Sequence, residues 1–136
     1  MKDLFTGIYS HFQTTSATSF YNGVGGRMYM EYAPEGTVFP YSVYSLDSNT
    51  HDWQFNTDYE ESLITFHVFS LSETEVLNLE KKLRSAYDEA NFSVSGYTLL
   101  KFRFDNEWIN VHPEMIPNED VFQYIVQYRT LIRKST

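Results

Sequence analysis

Apolar residues recur along the chain with two periods, one near 3.6 residues and one of two, and the switches between them divide it into elements. Leu4, Phe5, Ile8 and Phe12 stand at i, i+1, i+4 and i+8, which lines one side of a helix of about three turns over residues 3–12. Residues 13–26 are rich in Ser, Thr, Asn and Gly and read as a loop anchored by Phe20 and Tyr21. Residues 27–32, dense in aromatic and long side chains, read as a short strand that Gly25 and Gly26 turn into sharply. Pro34 and Gly36 then supply turn chemistry, so that the chain can reverse and set Phe39, Tyr41, Val43 and Ser45 on one face of a second strand. Pro40 cannot donate to a ladder, so that strand either starts at or just after it or lies near an edge.

Residues 47–61 open on Asp-Ser-Asn-Thr-His-Asp and carry Trp53, Phe55 and Tyr59 among Asp52, Asp58, Glu60 and Glu61, which predicts a long loop. Residues 63–71 are apolar on both alternating faces, as in a central strand covered on both sides. Ser72-Glu73-Thr74-Glu75 is a capping box, and Val76, Leu79, Leu83, Ala86, Tyr87 and Ala90 continue from it along one helical face that ends near Asn91. Glu80 and Arg84 are placed for an i, i+4 pair. Tyr97 to Phe104 alternates, residues 108–111 read as a short continuation, residues 112–120 as a loop, and residues 121–132 as the last strand. Short reversals and one long helical crossover imply an α+β fold: a single domain over residues 1–136, with a mixed, mainly antiparallel sheet carrying an N-terminal helix and one long helix.

Composition narrows the function classes. Eleven Tyr and eleven Phe are far too many for a disordered chain, and the absence of Cys leaves neither disulfides nor thiolate metal sites, so packing alone must hold the fold. No apolar run approaches the roughly 18 residues of a membrane span, and Met1-Lys2-Asp3-Leu4 lacks the apolar core of a signal peptide, so a reducing cytoplasm is the expected site of folding. Residues 1–80 hold two basic side chains against eleven acidic ones, whereas residues 81–136 hold eight against seven. Duplex DNA binding draws its affinity from cations that displace condensed counterions, and this balance argues against it.

Little in the chain points to catalysis. His51 and Asp52 with Asp58, Glu60 and Glu61 form an oxygen-rich group, but the ligand periodicity and tight Gly turn of a calcium loop are missing, and a solvated acidic loop is the simpler reading. His67 lies in an apolar strand, where a hydrogen-bonded core or interface histidine is expected, and His112 before Pro113 reads as plain surface. Gly23-Val24-Gly25-Gly26 precedes a strand, whereas a phosphate-cradling loop follows one and opens a helix. Arg27 stands alone between Lys2 and Lys81, suited to an ion pair across a subunit boundary or to one within the chain with Glu31 or a loop carboxylate. Trp53, Phe55 and Tyr59 read first as a lid on the domain's own core and second as anchors for a partner.

The order of several short pieces carries a resemblance. Gly25-Gly26-Arg27-Met28-Tyr29, then Ala33-Pro34 and Phe39-Pro40-Tyr41, then Glu60-Glu61-Ser62-Leu63-Ile64-Thr65-Phe66, Phe69-Ser70 and Ser95-Gly96-Tyr97 resemble the signature of the tail-completion, or tail-terminator, proteins of long-tailed bacteriophages and prophages. The chain departs from that pattern at the start of its last strand, where Phe122 and Gln123 stand in place of an expected Trp. The resemblance implies a virion structural protein, with no enzymatic activity and no cofactor, assembled in the host cytoplasm. It would form a homo-hexameric ring that caps the tail tube protein, stops tube growth, and meets a head-side connector or stopper protein. Genomic DNA would pass through its channel without specific binding, and no membrane is involved. Arg27, Asp52, Trp53, Phe55, Asp58 and Tyr59 are the candidate subunit or tube interface. Two other readings remain: another head-tail connector ring, and a small cytoplasmic ligand-binding domain or enzyme with an apolar pocket and perturbed acids.

Overall fold

The alternating segments assemble one five-stranded sheet whose two faces differ in kind. The computed structural model describes the backbone of residues 2–54 and 57–135, with side chains for all of these except 49–54 and 57. In chain order the elements are α1 (Lys2–Phe12), a 3-10 turn (Thr15–Ala17), α2 (Thr18–Gly23), β1 (Met28–Met30), β2 (Tyr41–Gln54), β3 (Thr57–Ser70), α3 (Glu73–Tyr87), β4 (Tyr97–Ile116) and β5 (Glu119–Lys134). The strands lie in the order β1-β2-β3-β5-β4; β1 is parallel to β2 and every other pair is antiparallel. This is the α+β fold, with a mixed and mainly antiparallel sheet, that the two periods imply.

The helices bury the face formed by Tyr44, Ile64, Phe66, Val68, Phe102, Val126, Tyr128 and Ile132, against Leu4, Ile8 and Phe12 of α1, Phe20 of α2, and Val76, Leu79, Leu83 and Tyr87 of α3. Phe66 is the centre of this layer. It is fully buried, with ring centroids 4.6 Å from Tyr87, 5.7 Å from Tyr128, 6.3 Å from Tyr44 and 6.5 Å from Phe102. Two polar bonds set α1 against α3: the Tyr87 hydroxyl donates to the Ile8 carbonyl (2.8 Å), and His11 Nε2 lies 2.7 Å from the Ala86 carbonyl, as its donor. Both satisfy groups that burial would otherwise leave costly.

α1 also packs closely on the segment after α3. A Cβ added to Gly7 would lie 2.8 Å from the Ser93 carbonyl oxygen and 3.4 Å from Val94 Cγ2. Helix propensity alone favours Ala there by about 1 kcal/mol. The obstruction is backbone, which yields less readily than a side chain, so Gly7→Ala is expected to destabilise by about 1–3 kcal/mol in urea unfolding. A gain in stability would show that α1 has room to lift.

Four boundaries differ from the sequence reading. Residues 18–23 are helical where a loop is expected, because Phe20 and Val24, one turn apart, are both fully buried. α3 ends at Tyr87 rather than near Asn91: Asp88 turns extended (ψ 123°), its carboxylate taken by Arg84 Nε at 2.8 Å and by the Tyr128 hydroxyl at 2.6 Å, and Glu89 follows with φ +53°. Residues 47–61 and 112–120 are mostly strand, so that β2 with β3 and β4 with β5 form long hairpins. The chain between β1 and β2 is a return loop rather than a simple reversal. Glu31 (φ +69°) and Gly36 (φ +81°) help carry it round so that β2 runs in the same direction as β1, with Ser42 N donating to the Arg27 carbonyl and Glu31 N to the Tyr44 carbonyl.

The cap of α3 holds with one change of partner. Ser72 Oγ accepts from Glu75 N at 3.3 Å, but the Glu75 carboxylate accepts from Ser70 Oγ at 2.5 Å, and Ser70 Oγ in turn accepts from Ser72 N at 3.1 Å. A hydroxyl therefore relays the contact that the carboxylate makes directly in a simple capping box. Arg84 does not pair with Glu80; it bonds Asp88 and Glu107 (3.3 Å) and lies 3.6 Å over the Phe104 ring. Burial, with Glu107 nearby, holds the Glu80 carboxyl above the usual range.

Candidate functional site

The five candidate interface residues whose backbone is described fall in two places. Arg27 precedes β1, and its Nε donates to the Pro40 carbonyl at 3.0 Å while the guanidinium folds over Gly25. Among the described residues it makes no ion pair, so the pair with Glu31 is not formed. Asp52 faces Tyr59, and Trp53 faces Asp58, at the far end of the β2–β3 hairpin. The side chains of Asp52 and Trp53, and all of Phe55, lie outside the described residues; Asp58 and Tyr59 are half-buried. Ser42, beside β1, is ten strand residues from Asp52, or about 33 Å. Arg27 and the hairpin end are therefore separate surfaces.

The hairpin end reads as a loop in sequence because it runs on as a ribbon with no apolar period. A β-bulge at Asp47, between the pairs Leu46/Ile64 and Ser48/Leu63, breaks the alternation just where a strand signal would have continued. The bulge also aims the Asp47 carboxylate at the open face of the sheet.

That open face is where sequence reasoning found least. Residues 123, 125, 127 and 129 of β5 point away from the helices, and three of them clamp neighbouring strands. Gln127 Nε2 donates to Asp47 Oδ2 at 2.8 Å, beside the Thr65 hydroxyl, which donates to the same carboxylate. Arg129 reaches Glu61 on β3 (3.0 Å) and Asp105 on β4 (3.3 Å). Gln123 sits between His67 Nδ1 on β3 (2.8 Å from its Nε2) and His112 Nε2 on β4 (2.6 Å from its Oε1). His67 is thus hydrogen-bonded, as its apolar strand suggests. His112 is not plain surface. Burial pushes the His67 imidazole below its ordinary pKa, against the opposing pull of Asp47. A Gln in a strand carries no chemical signal of its own; only the register reveals these clamps.

Among the described residues no group of three or more His, Asp or Glu is placed to hold a metal ion, and no helix is long and apolar enough to cross a membrane. A groove of about 560 Å³ lies between α1 and β1, lined by Phe5, Tyr9, Met30 and Tyr44 together with Lys2 and Glu31. On the opposite edge, β4 presents Leu100, Phe104, Trp108, Ile109, Val111 and Met115, each exposed by 37–49%. Among the described residues the sheet therefore ends in two unlike borders, a groove beside the three-residue β1 and a twenty-residue strand paired on its β5 side only. Open apolar edges of this length are covered by a partner or are a hazard.

Neither a protein-family model nor a curated protein sequence matches the chain. A solved structure does. A chain in the virion of a native gene transfer agent particle superposes with a TM-score of 0.72, over 94% of this chain and 92% of that one, at 12% sequence identity. That chain belongs to a virion particle. At such identity the two share a fold.

Proposed function

We propose that this chain is a virion structural protein of the tail, a terminator that closes the tail tube as a homo-hexameric ring and meets the head-side connector. The observation that carries the proposal is the near full-length likeness of its fold to a chain in a gene transfer agent virion. The order of the sequence pieces from Gly25 to Tyr97 supports the finer assignment to the tail terminators. Physical features agree with it. A ring is built by head-to-tail contacts that use two different patches on each subunit, and the groove beside β1 and the open border of β4 are two such patches on opposite edges of one sheet. The net charge of -8 suits a channel that lets DNA pass without holding it.

In this reading Asp52, Trp53, Phe55, Asp58 and Tyr59 reach a neighbouring subunit or the tube from the end of the β2–β3 hairpin, and Arg27 serves a separate contact beside β1. The protein performs no bond-making of its own and requires no cofactor. It is made in the host cytoplasm and works in the virion.

The test is assembly on the tube. Native mass measurement of the protein mixed with its tube protein is expected to give a six-copy ring bound to tube ends, and Ile109→Glu with Val111→Glu is expected to abolish it while the monomer stays folded. Trp53→Ala with Phe55→Ala is expected to weaken tube capture. A protein that binds portal or adaptor and ignores the tube would be a different head-tail connector. One that stays monomeric with every virion component overturns the proposal.

A further inference from the structure

The Gln123 bridge has a property that does not depend on what the protein assembles with. His67, Gln123 and His112 stand on three adjacent strands in the order β3, β5, β4, and the single side-chain amide bonds a ring nitrogen at each end, at 2.8 Å and 2.6 Å. An amide offers one acceptor and one donor group. With its oxygen toward His112, the ring nitrogen there carries a proton and Nδ1 of His67 must be bare. Turning the amide over exchanges the two roles, and Nε2 of His112 must then be bare. In either orientation the bridge is complete with both rings neutral or with one ring charged. With both rings charged, two N–H groups face one acceptor, and one end must open.

His112 also occupies a particular place in the ladder. It pairs with Val121 as the last regular partner before the register slips between His112 and Ile116, so the bridge fastens the base of the hairpin tip. Beyond it, Met115 is 49% exposed, and Glu114, Glu119 and Asp120 are the charged residues of the tip. The titratable and charged groups around His67 are Asp47 and Tyr41 from β2, and Glu31 and Tyr32 from the segment after β1. From β5 it meets neutral residues, Gln123 and its ladder partner Ile125. Around His112 they are Glu114 on its own strand, with Glu119 and Asp120 next along β5. Burial of His67 favours the arrangement in which its ring stays neutral.

We propose that His67, Gln123 and His112 form a proton-operated latch, which tolerates one proton and releases the β4–β5 hairpin tip when it takes up the second. At neutral pH the tip is held to the sheet in one direction; in acid it swings free. Losing one hydrogen bond on the second protonation separates the two steps by about one pH unit.

Histidine ring resonances of the full chain, followed by NMR from about pH 8 to about pH 4.5, read this directly. The two rings are expected to titrate as a coupled pair about one pH unit or more apart, and the backbone amides of residues 111–120 to shift with the second step only. Gln123→Leu is expected to make the two rings titrate independently and to leave the tip insensitive to acid. His112→Gln keeps an amide against Gln123 and removes one titrating ring, so the tip step should vanish while His67 still titrates once. If the rings already titrate independently in the unaltered protein, or if the tip step survives in His112→Gln, the latch does not exist. The second variant decides the matter even if Gln123→Leu fails to fold.

Discussion

Phe66→Ala is expected to cost about 3–5 kcal/mol, the largest loss of any single substitution in this chain. Phe66 lies on the central strand of the five and is fully buried between Tyr44, Tyr87, Phe102 and Tyr128. Each neighbour is itself large and held elsewhere: Tyr87 by its bond to Ile8, Tyr128 by its bond to Asp88, and Phe102 by the Phe92 and Tyr128 rings at 5.4 and 4.8 Å. They cannot close over the space that a removed ring leaves, so the cavity term adds to the lost transfer energy. Domains are stable by only about 5–15 kcal/mol, which puts the variant near the edge of folding. Denaturant unfolding reads the loss, with Phe66→Leu, which keeps much of the volume, expected to lose less than half as much. A cost under about 1 kcal/mol would mean that this ring cluster is loosely packed.

How far these features are legible in the sequence depends on whether an element keeps a period. α1, α3 and β5 do, and their buried faces are the spaced residues Leu4, Ile8 and Phe12, Val76, Leu79 and Leu83, and Val126 and Tyr128. β3 is legible because both faces of residues 63–71 are apolar, but the structure covers only one of them with helices; the other is the open face, where side chains of β5 bond to it from alongside. Where strands run past the helices the period fades. Residues 51–54 and 57–60 pair with each other beyond the core, and Pro113 sits in β4 because an edge strand needs no donor on its outer side. The parallel pairing of β1 with β2 rests on three residues and two loop bonds, too little for any pattern. Aromatics set among acids mark one hairpin end in the sequence, through Asp52, Trp53, Asp58 and Tyr59, while Arg27 lies elsewhere. The open face is not legible because its active parts are Gln123 and Gln127, residues that are ordinary on any surface until the register sets Gln123 between His67 and His112 and Gln127 beside Asp47 and Thr65.

The second large effect is loss of the fold in alkali. The phenol of Tyr44 is pushed up to about 12 by burial, with Tyr9 adding to it. Tyr87 and Tyr128, both fully buried, are raised further, by burial first and, for Tyr128, by the Asp88 carboxylate that its hydroxyl donates to. A phenolate there would lose its solvent and, at Tyr128, would face a carboxylate at 2.6 Å. The direction follows from proton counts. The native state keeps these protons while the unfolded chain releases its own near pH 10, so the stability they provide is complete below about pH 10 and is lost as pH rises above it. Each tyrosine neutral only in the native state adds about 1.4 kcal/mol per pH unit to that fall, and Tyr87 and Tyr128 together add about 2.7. Stability measured by denaturant unfolding should therefore be level through the neutral range and drop steeply above about pH 10. Phenolate absorbance should rise in two stages, the exposed share of the eleven tyrosines first and the buried share only with unfolding. Tyr128→Phe should make the alkaline slope shallower by about one proton, although the variant is less stable at pH 7 for want of its bond to Asp88. If all eleven ionised together near pH 10 with the sheet intact, the rings around Phe66 would have to be open to water, and the core described above would be wrong.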